Sequence, residues 1–285
     1  MASIQQPPRI AYLGPQGTFT EEALRSVREL SSAIHIPFAS FREVFNSVHT
    51  GQAEFGFIAI ENSIEGTVMT TLDALVFEYE FVIVAEHLLD VHQQLLAVAG
   101  AELTGLTDVY SFPHASAQVR GFLSKHLPRA VVHATNSTAQ AAQLVSELRT
   151  PTAAAIGPRI AGELYELIEL ASNIEDFSNN QTRFVLIAQS STTELPAPTG
   201  HDKTSVVCFQ LEDRPGSLLE IINHFASRGI NLTKLESRPS KRAIGEYCFI
   251  IDFEGHYQDE AVRACMEDIR RGDAVVKWLG SYPAP

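Results

Sequence analysis

From Arg9 to about Ala188, short apolar runs alternate with stretches of helical spacing, and this alternation limits the possible folds more than any other feature. "RIAYLG", "FGFIAIEN", "FVIVAEHLL" and "QLLAVA" read as buried strands. "TEEALRSVREL", "SAQVRGFLSKHL", "STAQAAQLVSELR" and "RIAGELYELIEL" repeat apolar residues every three or four positions, the spacing of helices with one buried face. Buried strands interleaved with helices need helices as cover, so the pattern predicts an α/β architecture over residues 9–188.

The segment "AQSSTTELPAPTGHDK" then loses all periodicity and gathers Ser, Thr, Pro and Gly, which predicts a linker over residues 189–202. Beyond it the order is strand "TSVVCFQLE", turn "DRPG", helix "SLLEIINHFASRG", strands "INLTKLESRP" and "EYCFIIDFEG", helix "DEAVRACMEDIRRG" and strand "AVVKWLGSY". That is βαββαβ, a ferredoxin-like small domain over residues 203–282. Leu218, Ile221, Ile222 and Phe225 share one helical face there and are expected in its core.

Charge and cysteine content exclude several functions. A formal charge of −13 does not suit a nucleic-acid partner, whose phosphates need clustered Lys and Arg. A small anion remains open, because a helix N-terminus or one Arg outweighs distant net charge at close range. No apolar run approaches the roughly 20 residues that cross a bilayer, and "MASIQQPPRIAYLG" lacks the basic and long apolar segments of a leader, so the expected location is the cytoplasm. Cys208, Cys248 and Cys265 show no CxxC spacing and are expected to be structural thiols, with no metal site.

Several polar stretches sit where α/β sheets collect ligands. "YLGPQGTFTEEAL" places Gly14 and Gly17 between a strand and a helix, with Thr18 and Glu21 in capping-box spacing. On this motif alone a capped βα turn without a ligand is the first expectation, and an anion at the bare N–H groups of the helix start is the second. "FGFIAIENSIEGTV" ends a strand on Glu61, Asn62 and Ser63, either a polar turn or a binding edge. "YSFPHASAQVRGF" brings Ser111, His114 and Gln118 to a helix start, and "HATNSTAQAAQL" sets Ser137 before another. Together these predict a cleft lined by helix N-termini. Finally, "SNNQTRFVLIA" opens an apolar run with five polar side chains, which need partners. For Asn179 and Asn180 water on a surface crossover is the expected partner, whereas Thr182 and Arg183 adjoin the strand itself.

The strings "GPQGTFT", "IENSIEGTV", "TRF" and "ESRP" occur in this order, and with them the chain resembles the prephenate dehydratases that carry a C-terminal ACT regulatory domain, over residues 9 to 282. The resemblance implies a two-lobed catalytic unit like a type II periplasmic binding protein, with the active site between the lobes. It implies conversion of prephenate to phenylpyruvate, water and carbon dioxide in L-phenylalanine biosynthesis, without metal or organic cofactor. By matched position it assigns catalysis to Thr182, Arg183, Glu61 and Asn62, and substrate contacts to Ser111, Gln118 and Phe184. Thr18, Ser63 and Ser137 join the substrate set from the stretches above. Phe112 and His114 depart from the family's Ser-His-Pro-Gln pattern, so no role carries over to them. In the small domain, Gly216, Ser217, Leu218 and Leu219, with Asn231 and Glu236, Ser237, Arg238 and Pro239, are implied to bind phenylalanine as feedback inhibitor between paired chains, in a dimer or tetramer.

Loss of carbon dioxide and hydroxide makes the ring of prephenate aromatic, so the enzyme need only help the hydroxyl depart. Thr182 and Glu61 are rival proton donors. No helical chorismate mutase module precedes Arg9, which predicts a monofunctional enzyme. The competing expectation is a cytoplasmic binding or sensor protein for an aromatic or keto acid, with the same fold and no turnover.

Overall fold

The computed structural model describes residues 7–191, 193, 195–212, 214–241 and 245–285. They form two compact units, one running to Met69 and resuming at His87–Phe184, the other made of Thr70–Glu86 and Val185–Pro285.

The first sheet contains β1 (Arg9–Leu13), β2 (Ile34–Phe38), β3 (Phe55–Asn62), β4 (Gly66–Thr67), β5 (Phe81–Asp90) and β11 (Gln181–Gln189), in the order β2-β1-β3-β11-β5 with β4 on β3. β1 runs parallel to β2 and β3, as βαβ connections require, and α1 (Phe19–Ser26) and α2 (Phe41–His49) make those connections. α2 buries Val44, Phe45 and Val48, spaced as one helical face. After β4, α3 (Met69–Asp73) continues as one π-helical segment, Ala74–Glu78.

The second sheet has the order β10-β6-β9-β7-β8, from β6 (Gln94–Ala97), β7 (Asp108–Ser111), β8 (Val131–Ala134), β9 (Ala153–Gly157) and β10 (Ile168–Ala171). Its helices are α4 (Pro113–Ala117), α5 (Arg120–His126), α6 (Thr138–Leu148) and α7 (Arg159–Leu164). The central strand β9, Ala-Ala-Ala-Ile-Gly, is buried throughout, and its small residues let α6 approach closely. One sequence expectation fails here. The helical spacing of "RIAGELYELIEL" ends at Leu164, because Glu166 takes a left-handed φ of 55° and Ile168–Ala171 pairs antiparallel with β6.

The chain passes between these two sheets twice, from β5 to β6 and from β10 to β11, which gives the expected two lobes. The crossings are tied together. Val91 N donates to Asn180 O at 2.7 Å, Ile174 N to Gln93 O at 3.0 Å, and Gln93 N to the Glu175 carboxylate at 2.9 Å.

The third sheet is antiparallel, in the order β13-β14-β12-β15, from β12 (Asp202–Gln210), β13 (Leu232–Pro239), β14 (Tyr247–Glu254) and β15 (Ala274–Pro283). With α8 (Ser217–Ala226) and α9 (Glu260–Gly272) it completes the βαββαβ order. Ile221 and Phe225 of α8 are fully buried beside Phe253, Cys208 and Cys265, and Leu218 packs at the edge of that core, whereas Ile222, expected with them, is half-buried outside it. Burial pushes the Cys208 and Cys265 thiols up to about 12, so both stay protonated and inert, as expected of structural thiols. Gly280 has φ 141°, and a Cβ there would lie 2.2 Å from Ile83 O, so β15 tolerates no side chain at that point.

Candidate active site

Between the two lobes lies a cleft of about 1020 Å³. Its walls are helix starts and its floor is amide. Thr18 caps α1 by accepting from Glu21 N at 3.4 Å, while the Glu21 carboxylate accepts from Gly17 N at 2.6 Å. Ser137 caps α6 by accepting from Gln140 N at 3.0 Å, and Gln140 Oε1 accepts from Asn136 N at 2.7 Å. Both are reciprocal caps, as their spacing predicts. α4 differs: it starts at Pro113 with no side-chain cap, and Ser111, fully buried, donates instead to Phe112 O.

Strand alternation sorts the polar segment of β11. Asn180, Thr182 and Phe184 border the cleft, whereas Gln181 and Arg183 fall on the opposite side of the strand. Phe184 stacks on Phe57 at 5.2 Å, which seats the strand on β3. Asn62, at the end of β3, then reaches across. Its Nδ2 donates to Asn180 Oδ1 at 2.7 Å, to Thr182 Oγ1 at 3.0 Å and to Gln181 O at 3.1 Å, and its Oδ1 accepts from Ile64 N and Glu65 N, each at 2.9 Å. Because Thr182 oxygen already accepts from Asn62, its own proton is left to donate toward the cleft.

Asn180 corrects the sequence expectation. It is 1% exposed rather than solvated, and its Nδ2 donates to Gln118 Oε1 at 3.1 Å. Asn179 is exposed, as expected. Gln93 also borders the cleft, and in the sequence nothing but its place before β6 marks it. It is 2% exposed and donates to Gln118 Oε1 at 3.3 Å.

Of the expected site residues, Thr18, Asn62, Gln118, Ser137, Thr182 and Phe184 border one cleft. Arg183, Glu61, Ser63 and Ser111 do not. Arg183 is 8% exposed and lies 3.6 Å from the Glu61 carboxylate, so the guanidinium expected in the crevice meets an acid instead. Ser63 ties the β3 end to the crossing, donating to Asn179 O at 2.9 Å and accepting from Gln181 N at 2.9 Å. Phe112 and His114, which depart from the family pattern, both border the cleft, and His114 Nδ1 stands 3.6 Å from Glu65. Tyr165 closes another side and donates to Gln16 O at 3.2 Å; burial and the nearby Glu21 carboxylate hold its hydroxyl above the usual phenol range.

The small domain has a second pocket, of about 610 Å³, against the start of α8. Gly216, Ser217, Leu218, Leu219 and Ser237 border it with Arg214 and Tyr247. Asn231, Glu236, Arg238 and Pro239 do not border it. Asn231 donates to Glu254 at 2.9 Å. Alternation along β13 turns Arg238 to the other face of the sheet from Ser237, where it donates to Asp73 at 2.6 Å. Among the described residues no cluster has the composition of a metal site, and no helix is long and apolar enough to cross a membrane.

A family model described as prephenate dehydratase matches residues 10–192, and one described as ACT domain matches residues 204–271. A bifunctional chorismate mutase/prephenate dehydratase of Pseudomonas aeruginosa is 39% identical over 283 residues, covering 99% of this chain and 74% of the relative. Among solved structures, a prephenate dehydratase of Arthrobacter aurescens in complex with L-Phe superposes with a TM-score of 0.88 at 40% identity, covering 97% of this chain and 90% of that one. A structure described as GqqA, a novel type of quorum quenching acylase, superposes with a TM-score of 0.87 at 30% identity, covering 97% and 98%.

Proposed function

We infer, because the chain belongs to the prephenate dehydratase family and carries an ACT domain, that its interlobe cleft is where prephenate loses water and carbon dioxide. The chain is an enzyme of that kind. One observation carries the inference: Asn62 Nδ2 donates to the Thr182 oxygen at 3.0 Å, leaving the hydroxyl proton for the departing group.

In this reading the Thr182 hydroxyl donates to the ring hydroxyl oxygen of prephenate. As that carbon–oxygen bond breaks, the bond from the ring to its carboxylate supplies the electron pair, carbon dioxide leaves and the ring becomes aromatic. The departing hydroxide takes the proton of the Thr182 hydroxyl, which regains one from solvent, and leaves as water. A rate gain of about 10⁶ requires about 8 kcal/mol, and fixed donors in a water-poor cleft supply roughly 3 to 4 kcal/mol each. Two or three donors are therefore enough. N–H groups at the starts of α1 and α6, by Thr18 and Ser137, with the outward amide of Gln118, hold the carboxylates. Arg183 and Glu61 act from behind β11 by fixing the strand. Glu61 is the rival donor only if it can turn into the cleft.

In the same reading residues 9–188 serve catalysis, 189–202 are the linker and 203–282 serve regulation. L-Phenylalanine suits the second pocket, its carboxylate at the start of α8 and its ring among Leu218, Leu219 and Ile222. The rim is exposed enough to be completed by a second chain, so a homodimer or homotetramer in the cytoplasm is the expected state. The test is ultraviolet absorbance of phenylpyruvate formed from prephenate, repeated with millimolar phenylalanine. Absence of product ends the catalytic reading, and product formation indifferent to phenylalanine ends the regulatory one. Acylase turnover in place of phenylpyruvate would align the chain with the GqqA-like structure instead.

A further inference from the structure

Amide orientations are fixed from one end of the cleft floor to the other, starting from two backbone N–H groups. Asn62 Oδ1 accepts from Ile64 N and Glu65 N, groups that can only donate, so Nδ2 must face the other way. It meets Asn180 Oδ1 at 2.7 Å, which leaves Asn180 Nδ2 to donate to Gln118 Oε1 at 3.1 Å. That same oxygen accepts from Gln93 Nε2 at 3.3 Å. Reversing any one amide would set two donors or two acceptors face to face. The chain therefore ends with Gln93 Oε1 as an acceptor, and this oxygen is buried without a partner among the described residues.

Gln93 is 2% exposed and borders the cleft, so bulk water does not pair that oxygen. Its 3.3 Å bond is the longest of the chain, so turning this terminal amide to an incoming donor gives up the weakest bond of the series. Prephenate with both carboxylates ionised has a single hydrogen-bond donor, its ring hydroxyl. Phenylpyruvate in the keto form has none. We propose that Gln93 is a specificity-determining residue whose carboxamide oxygen accepts from the substrate hydroxyl, so that the cleft favours substrate over product. This rests on the cleft being the dehydratase site. The hydroxyl then donates to Gln93 and accepts from Thr182, and its loss leaves Gln93 unpaired again, which loosens the product.

Gln93→Met keeps the bulk and removes the unpaired oxygen. Prephenate KM should rise about tenfold, while the inhibition constant of phenylpyruvate falls about tenfold. A packing role would move both constants the same way, and that result, or no change in either, overturns the proposal. Should Gln93→Met fail to melt as a folded protein, direct calorimetry on the wild-type chain decides. 4-Hydroxyphenylpyruvate should bind about tenfold tighter than phenylpyruvate, and equal binding overturns the proposal. Calorimetry needs no turnover, so failure of the dehydratase reading, seen as no phenylpyruvate from prephenate, stays distinct from failure here.

Discussion

The cleft and the pocket of the small domain solve different binding problems with similar parts. Both present helix starts and apolar walls. In the cleft, polar side chains are paired to one another before any ligand arrives, and Asn180 and Gln93 are almost wholly buried. In the pocket, α8 begins at Gly216 with no side-chain cap, and Leu219 and Tyr247 stand 60% and 43% exposed. The difference follows from the task. A site that stabilises charge as it develops gains from dipoles already fixed, whereas an effector site needs only a reversible bias of about 1 to 3 kcal/mol.

The contrast is most sharply tested at Thr182. Thr182→Ala should lower kcat by about 10² or more with the melting curve retained, and Thr182→Ser should keep most of the activity. Unchanged kcat would mean that Thr182 is not the donor. A pH–rate profile moved by Glu61→Gln and not by Thr182→Ser would pass that role to Glu61. Asn180→Ala comes next. It takes from Gln118 Oε1 one of its two donors and from Asn62 the shortest of its bonds, so kcat/KM should fall by about tenfold and stability by about 1 to 3 kcal/mol. A loss of stability with unchanged kcat/KM would reduce the amide floor to scaffolding.

Much of this contrast was readable in the sequence because it rests on local rules. The caps at Thr18 and Ser137 follow from spacing, and the βαββαβ order follows from apolar runs and turns. What stayed hidden depends on pairing across the fold. Asn180 looked solvated because nothing in "SNNQTRF" reveals that Asn62 and Gln118 will close on it. Arg183 looked like a cleft residue because adjacency to Thr182 is visible in one dimension, while strand alternation sends the two apart. Gln93 had no signal at all, since an amide before a strand becomes special only when its oxygen is left unpaired. The strand at Ile168–Ala171 was missed because four residues of mixed character also fit a helix.

A smaller effect is expected in the pocket. Gly216 has φ 95°, a conformation an L side chain adopts only at a cost of roughly 1 kcal/mol, although space for a methyl group is open. Gly216→Ala should therefore tilt the start of α8 and shift phenylalanine inhibition to about fivefold higher concentration. An unmoved inhibition curve would mean that the helix start does not hold the effector carboxylate.

The smallest expected effect concerns Arg238, which the resemblance places with the effector and which instead pairs with Asp73. Burial alone would raise the Asp73 carboxyl, but hydrogen bonds from Arg238 and Lys241 outweigh it and hold the group below the usual carboxylate range. A carboxyl depressed in the folded state adds stability that is present above its unfolded pKa and is lost as pH falls through the folded one. The window is therefore below about pH 4. Asp73→Asn should cost about 1 kcal/mol in urea unfolding at pH 7 and progressively less toward pH 3. A deficit that persists unchanged in acid would assign the contact to packing rather than charge. A tighter phenylalanine response in the same variant would mean that Asp73 withholds Arg238 from the effector, which would put the arginine back in the regulatory site.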